Sequence, residues 1–559
     1  VAQFAVLVTY REIFGKDPKI EELHAILSKY GRCELLFLLA KLNCLLGTWQ
    51  NTPNFEEDRK LTRVFLPNDA YRIERMRADL HRIVFSRMTL LYLMKQVCRV
   101  CTDDGGNPHT FQAYAEIGVA CLLANDLLLP FLPSPNDGDL ERLANLLPFS
   151  DYVPHDHYAF EIARSQKMFE QVSQFPALKS RSDFLDVLAL FNQAMGISHS
   201  RFTELVFGCS TKFLNLKVQD LFQPDAMVVR VSFFQKSNLP AETVSGFFSK
   251  MAIPLTTFAE NVKSSDRPAN DLTLFQASPL VQIVEGVYTC LDPGFLVEKA
   301  GRGLYWTLFS EMPGQQKGRL ATFWGAIFEA YANLILQESY KARGTFIAEP
   351  RFPNGDQAFD ACIIEGANLI VFEHKSSTLR ADCKYGGDIE KLRAELDLKF
   401  IQGDDEGAKG LAQLKKSILR FVNGEDLEGI SSKQIRRIYP VLVCLDSSVT
   451  VPYMAKYFNG QFRPGIPRRD ISQSITPIFV LGISDLENLA GYLNSFLFCD
   501  ICDSFYEKNR SMLGSISSSE VPLLKNAQAA ENVIAKGFSE FGKRMEEDLF
   551  GGTEAASAD

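Results

Sequence analysis

Residues 359–377, with the sequence FDACIIEGANLIVFEHKSS, constrain the fold of this chain more than any other stretch. Two apolar runs flank a short turn of Gly, Ala and Asn, a pattern that predicts a β-hairpin. Side chains alternate between the two faces of a strand, so Glu373 and Lys375 point the same way and His374 points to the other face. The hairpin brings Asp360 beside Glu373. Burying two carboxylates and an ammonium together is costly unless they have a purpose.

A hard divalent cation explains this arrangement. Mg²⁺ prefers oxygen ligands and commonly takes one or two carboxylates together with waters and substrate phosphate. We therefore expect Asp360 and Glu373 to bind Mg²⁺ or Mn²⁺. A metal in this position polarises a phosphate and lowers the pKa of a bound water. Lys375 would then orient the water or offset the charge that develops on the phosphate.

The residue pattern changes part-way along the chain, from mostly helical to a mixture of strands and helices. Residues 1–270 read mostly as helices, with apolar residues at helical spacing and Pro-, Asp- and Gly-rich loops between them. The segment SSDRPANDL reads as a linker. Short β-rich runs then alternate with helical runs, which predicts a mixed α/β domain over residues 276–545. One of its helices, SDLENLAGYL, begins with a predicted capping box of Ser484 and Glu487. Residues 546–559 read as a disordered acidic tail.

Composition excludes some classes of protein. The formal net charge of -9 argues against a surface that is basic throughout and binds nucleic acid, but it is compatible with a local basic groove. The most apolar segment, CELLFLLAKLNCLLGTW, is interrupted by Lys41 and Asn43, so we expect no membrane span. No secretory signal is visible, and the twelve cysteines show no dense framework. Reduced thiols and a cytoplasmic location are therefore expected.

The acid in FDA followed by the acid-x-Lys of FEHK resembles the PD-(D/E)xK nuclease superfamily over roughly residues 319–445. Phe359 stands where the name of the superfamily has Pro. The resemblance implies a restriction-endonuclease-like α-β-β-β-α-β core, and the chain supplies each element in order. These elements are the helix RLATFWGAIFEAYANLILQ, strands near residues 345, 358 and 369, a helix at 407–422 and the strand YPVLVCLD. Residues 376–405 form an insertion before the second core helix.

Glu329 is the only charged residue between Arg319 and Glu338, in a helix that is apolar or small on every side. A lone carboxylate in such a buried helix needs a partner. A structural salt bridge to Arg319 or Lys341 is one interpretation. Members of the superfamily often place a Glu of this helix at the metal site, which implies that Glu329 helps to hold the metal. The resemblance also implies that the backbone carbonyl of His374 is a metal ligand.

The helix after the insertion carries a continuous polar stripe of Lys409, Gln413, Lys416 and Arg420. Nucleases of the superfamily often carry Gln or Lys here, so Gln413 is expected to position water or phosphate at the site. The three basic residues are candidates for contacts with nucleic-acid phosphates. The alternative is an ordinary solvated face.

Together these features predict a Mg²⁺-dependent endonuclease that acts on nucleic acid, with DNA favoured over RNA. The alternatives are a catalytically inactive nuclease-like scaffold that binds a protein or nucleic acid, or an unrelated fold with Asp360 in a turn. Neither GxxxxGK[ST] nor GxSxG occurs, which disfavours a nucleotide-driven motor and a serine hydrolase. Nuclease domains fused to large helical modules are frequent in prokaryotic antiviral defence. By that analogy the chain is expected to be a defence effector regulated by its helical half. The helical half could equally bind a partner protein, sense a ligand or build a homo-oligomer.

Overall fold

The computed structural model describes residues 6–47, 54–77, 82–128, 137–152, 158–223, 225–268, 270–340, 344–404, 407–408, 410–466 and 473–550. Helices dominate up to the start of the main sheet. They are α1 (Tyr10–Phe14), α2 (Ile20–Leu27), α3 (Arg32–Gly47), α4 (Phe55–Phe65), α5 (Ala70–Arg77), α6 (Arg87–Val100), α7 (Phe111–Leu128), α8 (Asp139–Leu146), α9 (Tyr158–Ser165), α10 (Pro176–Lys179), α11 (Val187–Met195), α12 (His199–Leu214), α13 (Ala241–Met251), α14 (Leu255–Lys263), α15 (Thr273–Ala277), α16 (Pro293–Glu298), α17 (Gly303–Glu311) and α18 (Gly314–Ser339).

The later part of the chain alternates helices with strands. Its helices are α19 (Ala381–Tyr385), α20 (Ile389–Leu396), α21 (Leu411–Val422), α22 (Met454–Phe462), α23 (Ile483–Ala490), α24 (Phe498–Lys508) and α25 (Val533–Phe550). The strands of the whole chain are β1 (Val6–Leu7), β2 (Arg82–Ile83), β3 (Val229–Arg230), β4 (Ala252–Pro254), β5 (Leu280–Val284), β6 (Val287–Cys290), β7 (Thr345–Ala348), β8 (Ala361–Glu365), β9 (Asn368–Lys375), β10 (Gly403–Asp404), β11 (Gly407–Ala408), β12 (Arg437–Cys444), β13 (Ser474–Ile475) and β14 (Phe479–Gly482). The predicted mixed α/β architecture, a helical region with a sheet core, is confirmed.

The main sheet has the order β13–β12–β9–β8–β7. Strand β14 also pairs with β12, further along that strand than β13 does. Strands β7, β8 and β9 form an antiparallel meander. Strand β12 then runs parallel to β9, and β13 and β14 run parallel to β12. The predicted hairpin joins β8 and β9 through Gly366 and Ala367. Gly366 has a φ of +61°, a backbone conformation that favours glycine.

Helices cover both faces of this sheet, and alternating side chains of β9 feed two separate cores. Ile370 and Phe372 pack on the side of α18, α23 and α24, in the large core that continues into the helical half. Leu369 and Val371 pack on the opposite side with apolar residues of α20, α21 and α22. Because both faces are buried, the strands read as almost continuous apolar runs in the sequence.

The helical half and the sheet region share buried contacts. The Arg164 guanidinium donates to both carboxylate oxygens of Glu487, at 2.7 Å each, and to the hydroxyl of Ser484 at 2.9 Å. The Tyr331 hydroxyl donates to Glu487 at 2.6 Å. The predicted capping box of Ser484 and Glu487 is therefore wrong. Helix α23 is capped by the side chain of Asp485 instead, and Glu487 neutralises an arginine from α9.

The proposed division of the chain at residues 270–276 stays a prediction. A four-stranded sheet of order β3–β6–β5–β4 pairs strands from both sides of that division, so packing continues across it. The predicted start of a disordered tail at residue 546 needs correction, because α25 continues to Phe550 and buries Leu549. The Leu549 carbonyl also accepts a hydrogen bond from the backbone of Asn238. Residues 551–559 lie outside the part of the chain that the structure describes.

The insertion at residues 376–405 is attached to the helical half. Lys384 donates to Asp151 at 2.7 Å, and the Tyr385 hydroxyl donates to the other carboxylate oxygen of Asp151. Burial opposes ionisation of Asp151, but Lys384 and then Arg302 outweigh it and lower its pKa to about 2. No helix within the described ranges is long and apolar enough to cross a membrane.

Candidate active site

Three acidic residues lie in register at one edge of the meander, directly after β7, directly before β8 and near the end of β9. Ala361 pairs with Phe372, so the same register places Asp360 opposite Glu373, and the Asp360 backbone N–H donates to the Phe372 carbonyl at 3.1 Å. Glu349, directly after β7, donates its backbone N–H to the Asp360 carbonyl at 3.0 Å. Glu349, Asp360 and Glu373 therefore stand side by side across β7, β8 and β9.

Asp360 is held rigidly in this row. One carboxylate oxygen accepts the backbone N–H of His374 at 2.7 Å, and the other accepts the side-chain amide of Gln357 at 3.3 Å. Burial, followed by the nearby charges of Glu373 and Glu329, raises the pKa of Asp360 well above its usual value. A buried carboxylate among other carboxylates is a high-energy arrangement that a cation relieves.

Glu373 and Lys375, which alternation along the strand places on one face, form an ion pair. The Lys375 ammonium lies 2.6 Å from Oε1 of Glu373, and the two side chains are 18% and 2% exposed. Burial disfavours the charged Lys375, but Glu373 and then Asp360 outweigh it and raise its pKa. Lys375 is therefore an ammonium at neutral pH. Oε2 of Glu373 is buried and has no hydrogen-bond partner within the described residues.

Glu329 enters the cluster from α18. Burial, followed by the charges of Glu349 and Glu373, raises the pKa of Glu329 to about 7. The alternative salt bridge to Arg319 is not formed, since that guanidinium donates to the carbonyls of Asp183 and Phe184. Lys341, the other proposed partner, lies outside the described residues.

His374 points to the opposite face of the sheet, as the alternation along the strand predicts. Its ring packs against Phe328 and Phe372, with centroids 6.4 and 6.2 Å away. Burial, and to a smaller extent the charge of Lys375, lowers the pKa of His374 to about 3. The imidazole is thus neutral and turned away from the carboxylates. The proposed role of the backbone carbonyl in metal binding stays a prediction.

Helix α21 buries the predicted apolar face, including Leu411 and Leu414. On its polar stripe Gln413 is half-buried and Lys416 is exposed. The Arg420 guanidinium is occupied, because it donates to Glu425 at 2.5 and 2.8 Å and to Asp356 at 3.0 Å.

Arg420 also stacks on the ring of Phe352, 3.9 Å from its centroid. Acidic partners therefore compete with any phosphate for Arg420. Lys409 lies outside the described residues. Among the described residues, the side-chain hydrogen bonds and ion pairs of Asp360 and Glu373 are made with Gln357, His374 and Lys375 and not with Gln413.

The oxygen atoms of the carboxylate row can be compared with the ligands that a metal ion requires. Across the described part of the chain, no group of three or more His, Cys, Asp or Glu side chains is arranged closely enough to enclose a metal ion. The donors nevertheless have the chemistry that a hard cation requires. Oε2 of Glu373 is a buried oxygen without a partner among the described residues, and Asp360 and Glu329 each have a raised pKa. The residues thus fit Mg²⁺ or Mn²⁺ rather than a soft metal.

A cavity lies near the carboxyl end of β9, apart from the carboxylate row. This cavity of about 60 Å³ is bounded by the helical half and by the carboxyl ends of β12 and β14. Leu445 in its wall donates a backbone hydrogen bond to the Lys375 carbonyl at 2.9 Å. The arginines that line it are matched with acids, such as Arg302 with Glu298. Asp360, Glu373 and Lys375 do not line this cavity.

Sequence reasoning did not find Glu349. The signal was an acid at the end of the first strand of the meander, in TFIAEP. Comparisons with protein-family models, curated proteins and solved structures gave no match. The function therefore has to be argued from the site itself.

Proposed function

We propose that this protein is a metal-dependent nuclease of the PD-(D/E)xK type that hydrolyses phosphodiester bonds, with DNA favoured over RNA. The observation that carries the proposal is the row of Asp360 and Glu373 with Lys375 beside it, in which Oε2 of Glu373 has no partner among the described residues. The order of helix α18, strands β7 to β9, helix α21 and strand β12 supports the restriction-endonuclease-like core.

Asp360 and Glu373 would hold Mg²⁺ or Mn²⁺, with Glu329 and the His374 carbonyl as further oxygen donors. The bound ion would supply Lewis acidity to the phosphate and acidity to a coordinated water. Asp360 is preorganised for this role, because the His374 backbone N–H already fixes one of its oxygens. Preorganised charges need no rearrangement when the reaction occurs.

Lys375 contributes a fixed hydrogen-bond donor. Its ammonium is held beside Oε1 of Glu373 and stays charged, so it donates hydrogen bonds and does not accept a proton. One N–H group orients the attacking water or stabilises a non-bridging phosphate oxygen as negative charge grows there. Gln413 is proposed to position water or phosphate from α21.

The biological setting rests on family analogy alone. Similar fusions of a nuclease domain to a large helical module occur in prokaryotic antiviral defence, and we propose such a role for this protein as a cytoplasmic effector. The contacts of Lys384 and Tyr385 with Asp151 provide a physical link through which the helical half can influence the nuclease region.

A cleavage assay tests the proposed function. Wild type and Lys375→Met would be incubated with plasmid DNA, single-stranded DNA and RNA in Mg²⁺, Mn²⁺ or EDTA. Lys508→Met is the matched control, because Lys508 also pairs with a glutamate, at 2.8 Å, but lies on the surface of α24. We expect metal-dependent cutting that is lost in Lys375→Met and retained in the control.

Cutting that persists in EDTA, or in Lys375→Met at the wild-type rate, would refute the proposal. Metal-dependent DNA binding without cutting in any condition would favour the inactive scaffold instead.

A further inference from the structure

An exposed group of aromatic side chains lies on α17, the helix that precedes the one carrying Glu329. Trp306 is 50% exposed, and its ring packs edge-on against Tyr305 and Phe309, with centroids 5.1 and 5.7 Å away. The ring of Tyr305 in turn contacts the buried Trp324 of α18, with centroids 5.4 Å apart. We call Tyr305, Trp306 and Phe309 the aromatic platform. Contacts with the core hold the Trp306 ring in place while half of the residue stays open to solvent.

Lys317, near the start of α18, adds a positive charge to the aromatic platform. Its ammonium lies 4.5 Å from the centroid of the Phe309 ring, which is a cation–π contact. Lys317 makes no ion pair with any residue that the structure describes. Residues 303–328 hold two cations, Lys317 and Arg319, and one acid, Glu311, in a chain whose formal net charge is -9. An exposed aromatic surface with surplus positive charge is complementary to a polyanion that carries flat apolar groups.

Helix α18 connects the aromatic platform to the carboxylate row. Asn333, one turn after Glu329, donates its side-chain amide to the Asp360 carbonyl at 3.3 Å. Lys317 and Asn333 belong to the same continuous helix, which separates them by about 24 Å along its axis. A stacked nucleic-acid strand, at about 3.4 Å per nucleotide, covers this distance with about seven nucleotides. One strand can therefore contact both the platform and the carboxylate row.

The chemistry of the platform distinguishes between forms of nucleic acid. A base can stack on an aromatic side chain when it is unpaired, whereas the bases of a duplex are already stacked on one another. Every base has a π-face, so stacking of this kind tolerates any sequence. An exposed tryptophan with a lysine beside it supplies a stacking surface and a phosphate contact, the two features with which proteins bind single strands.

We propose that Trp306 stacks on an unpaired base of the substrate, so that the enzyme takes single-stranded nucleic acid or a single-stranded segment of a longer molecule. Lys317 would contact a phosphate of the same strand. The inference rests on the proposed nuclease function, and it names the form of nucleic acid that the site accepts. Trp306 and Lys317 are substrate-binding residues in this account and do not touch the reacting atoms.

Binding of a fluorescently labelled single strand of mixed sequence, measured by anisotropy in Ca²⁺, tests the inference. Trp306→Ala is compared with Phe111→Ala. Phe111 is the matched control because it is also an aromatic residue of the helical half and is 90% exposed. We expect Trp306→Ala to weaken binding about five- to thirtyfold, as removal of one base-stacking ring does, whereas Phe111→Ala should stay within about twofold of wild type. A blunt duplex of the same sequence should bind more weakly, and equally to wild type and Trp306→Ala.

Three further variants separate base stacking from other roles. Trp306→Phe keeps an aromatic face, so its affinity should stay within about threefold of wild type, while most of the quenching of tryptophan fluorescence by the strand should be lost. Trp306→Leu keeps an apolar side chain without a π-face and should bind as weakly as Trp306→Ala. Lys317→Met should reduce the slope of log K against log salt by about 0.7, the value for one phosphate contact with a single strand. Thermal unfolding checks that each variant is folded.

Equal affinities for Trp306→Ala and Phe111→Ala, or wild-type affinity in Trp306→Leu, would overturn the inference and leave the nuclease proposal intact. Self-association that is lost in Trp306→Ala, with no change in affinity for nucleic acid, would assign the platform to a second copy of the chain and overturn the inference as well. Failure of the wild type to bind duplex DNA, single-stranded DNA and RNA would overturn both proposals. Tighter binding of single-stranded RNA than of DNA, with the same loss in Trp306→Ala, would support the stacking contact and change only the sugar of the substrate.

Discussion

Neutralising Glu329 without changing its shape should stabilise the metal-free protein at high pH. Burial and the neighbouring carboxylates raise the pKa of Glu329 from 4.5 to about 7. The folded state therefore holds a proton that the unfolded state has already released, and stability falls as pH rises from 4.5 through 7. Glu329→Gln removes this penalty.

The size of the effect follows from the raised pKa. A tenfold change in a protonation equilibrium corresponds to about 1.4 kcal/mol, so a pKa that rises from 4.5 to about 7 is worth about 3 kcal/mol. Glu329 is half-buried and water screens part of its charge, so we expect about 2–3 kcal/mol at pH 8. The difference in stability between variant and wild type should shrink to less than about 1 kcal/mol at pH 5.

Urea unfolding of wild type and Glu329→Gln in EDTA at pH 5, 6, 7 and 8 measures this difference. Glu338→Gln, an exposed site on the same helix, is the control and should change stability by less than about 0.5 kcal/mol. Adding Mn²⁺ at pH 8 should stabilise wild type more than Glu329→Gln, because the variant has lost one oxygen charge for the ion. A variant that is destabilised by the same amount at every pH would show that Glu329 is a satisfied structural residue and refute the reasoning.

Three further predictions concern the surroundings of the site. His374→Leu keeps the backbone carbonyl, so Mn²⁺ affinity by electron paramagnetic resonance should stay within about twofold. Burial lowers the His374 pKa to about 3, so the folded wild type binds a proton less readily than the unfolded chain and loses stability as pH falls from 6.5 towards 3. The His374→Leu substitution should remove this loss of stability. Arg164→Met removes the guanidinium that pairs with the buried Glu487 and should cost about 3–5 kcal/mol in urea unfolding, of which a second change, Glu487→Gln, restores part. Lys416→Ala should reduce the salt slope of DNA binding by about 0.9, whereas Arg420→Ala should lower the urea concentration at the midpoint of unfolding, because the ion pairs with Glu425 and Asp356 are lost, and leave DNA affinity unchanged. A larger loss of affinity in Arg420→Ala than in Lys416→Ala would contradict the assignment.

Local patterns were enough to predict the central hairpin. Alternation along the strand assigned Glu373 and Lys375 to one face and His374 to the other, and the pairing of β8 with β9 agrees. Alternation predicts which face each side chain occupies because the side-chain period of a strand is two residues, and this period does not depend on the rest of the fold. Glu329 was found for a related reason, as a lone charge in the middle of a helix that is largely buried.

Contacts between distant segments could not be predicted in the same way. Glu349 joins the carboxylates only through the register of β7 against β8, and its φ of +46° is a backbone feature that no sequence pattern marks. Glu487 fitted a local capping box but binds Arg164, more than three hundred residues away along the chain.

Metal binding by Asp360 and Glu373 can be seen in a crystal of the protein that is soaked in Mn²⁺ and measured at the manganese absorption edge. We expect an anomalous peak bound by carboxylate oxygens of Asp360 and Glu373, lost when Asp360→Asn crystals are soaked in the same way. A peak held by other residues, or an empty carboxylate row at saturating Mn²⁺, would contradict it.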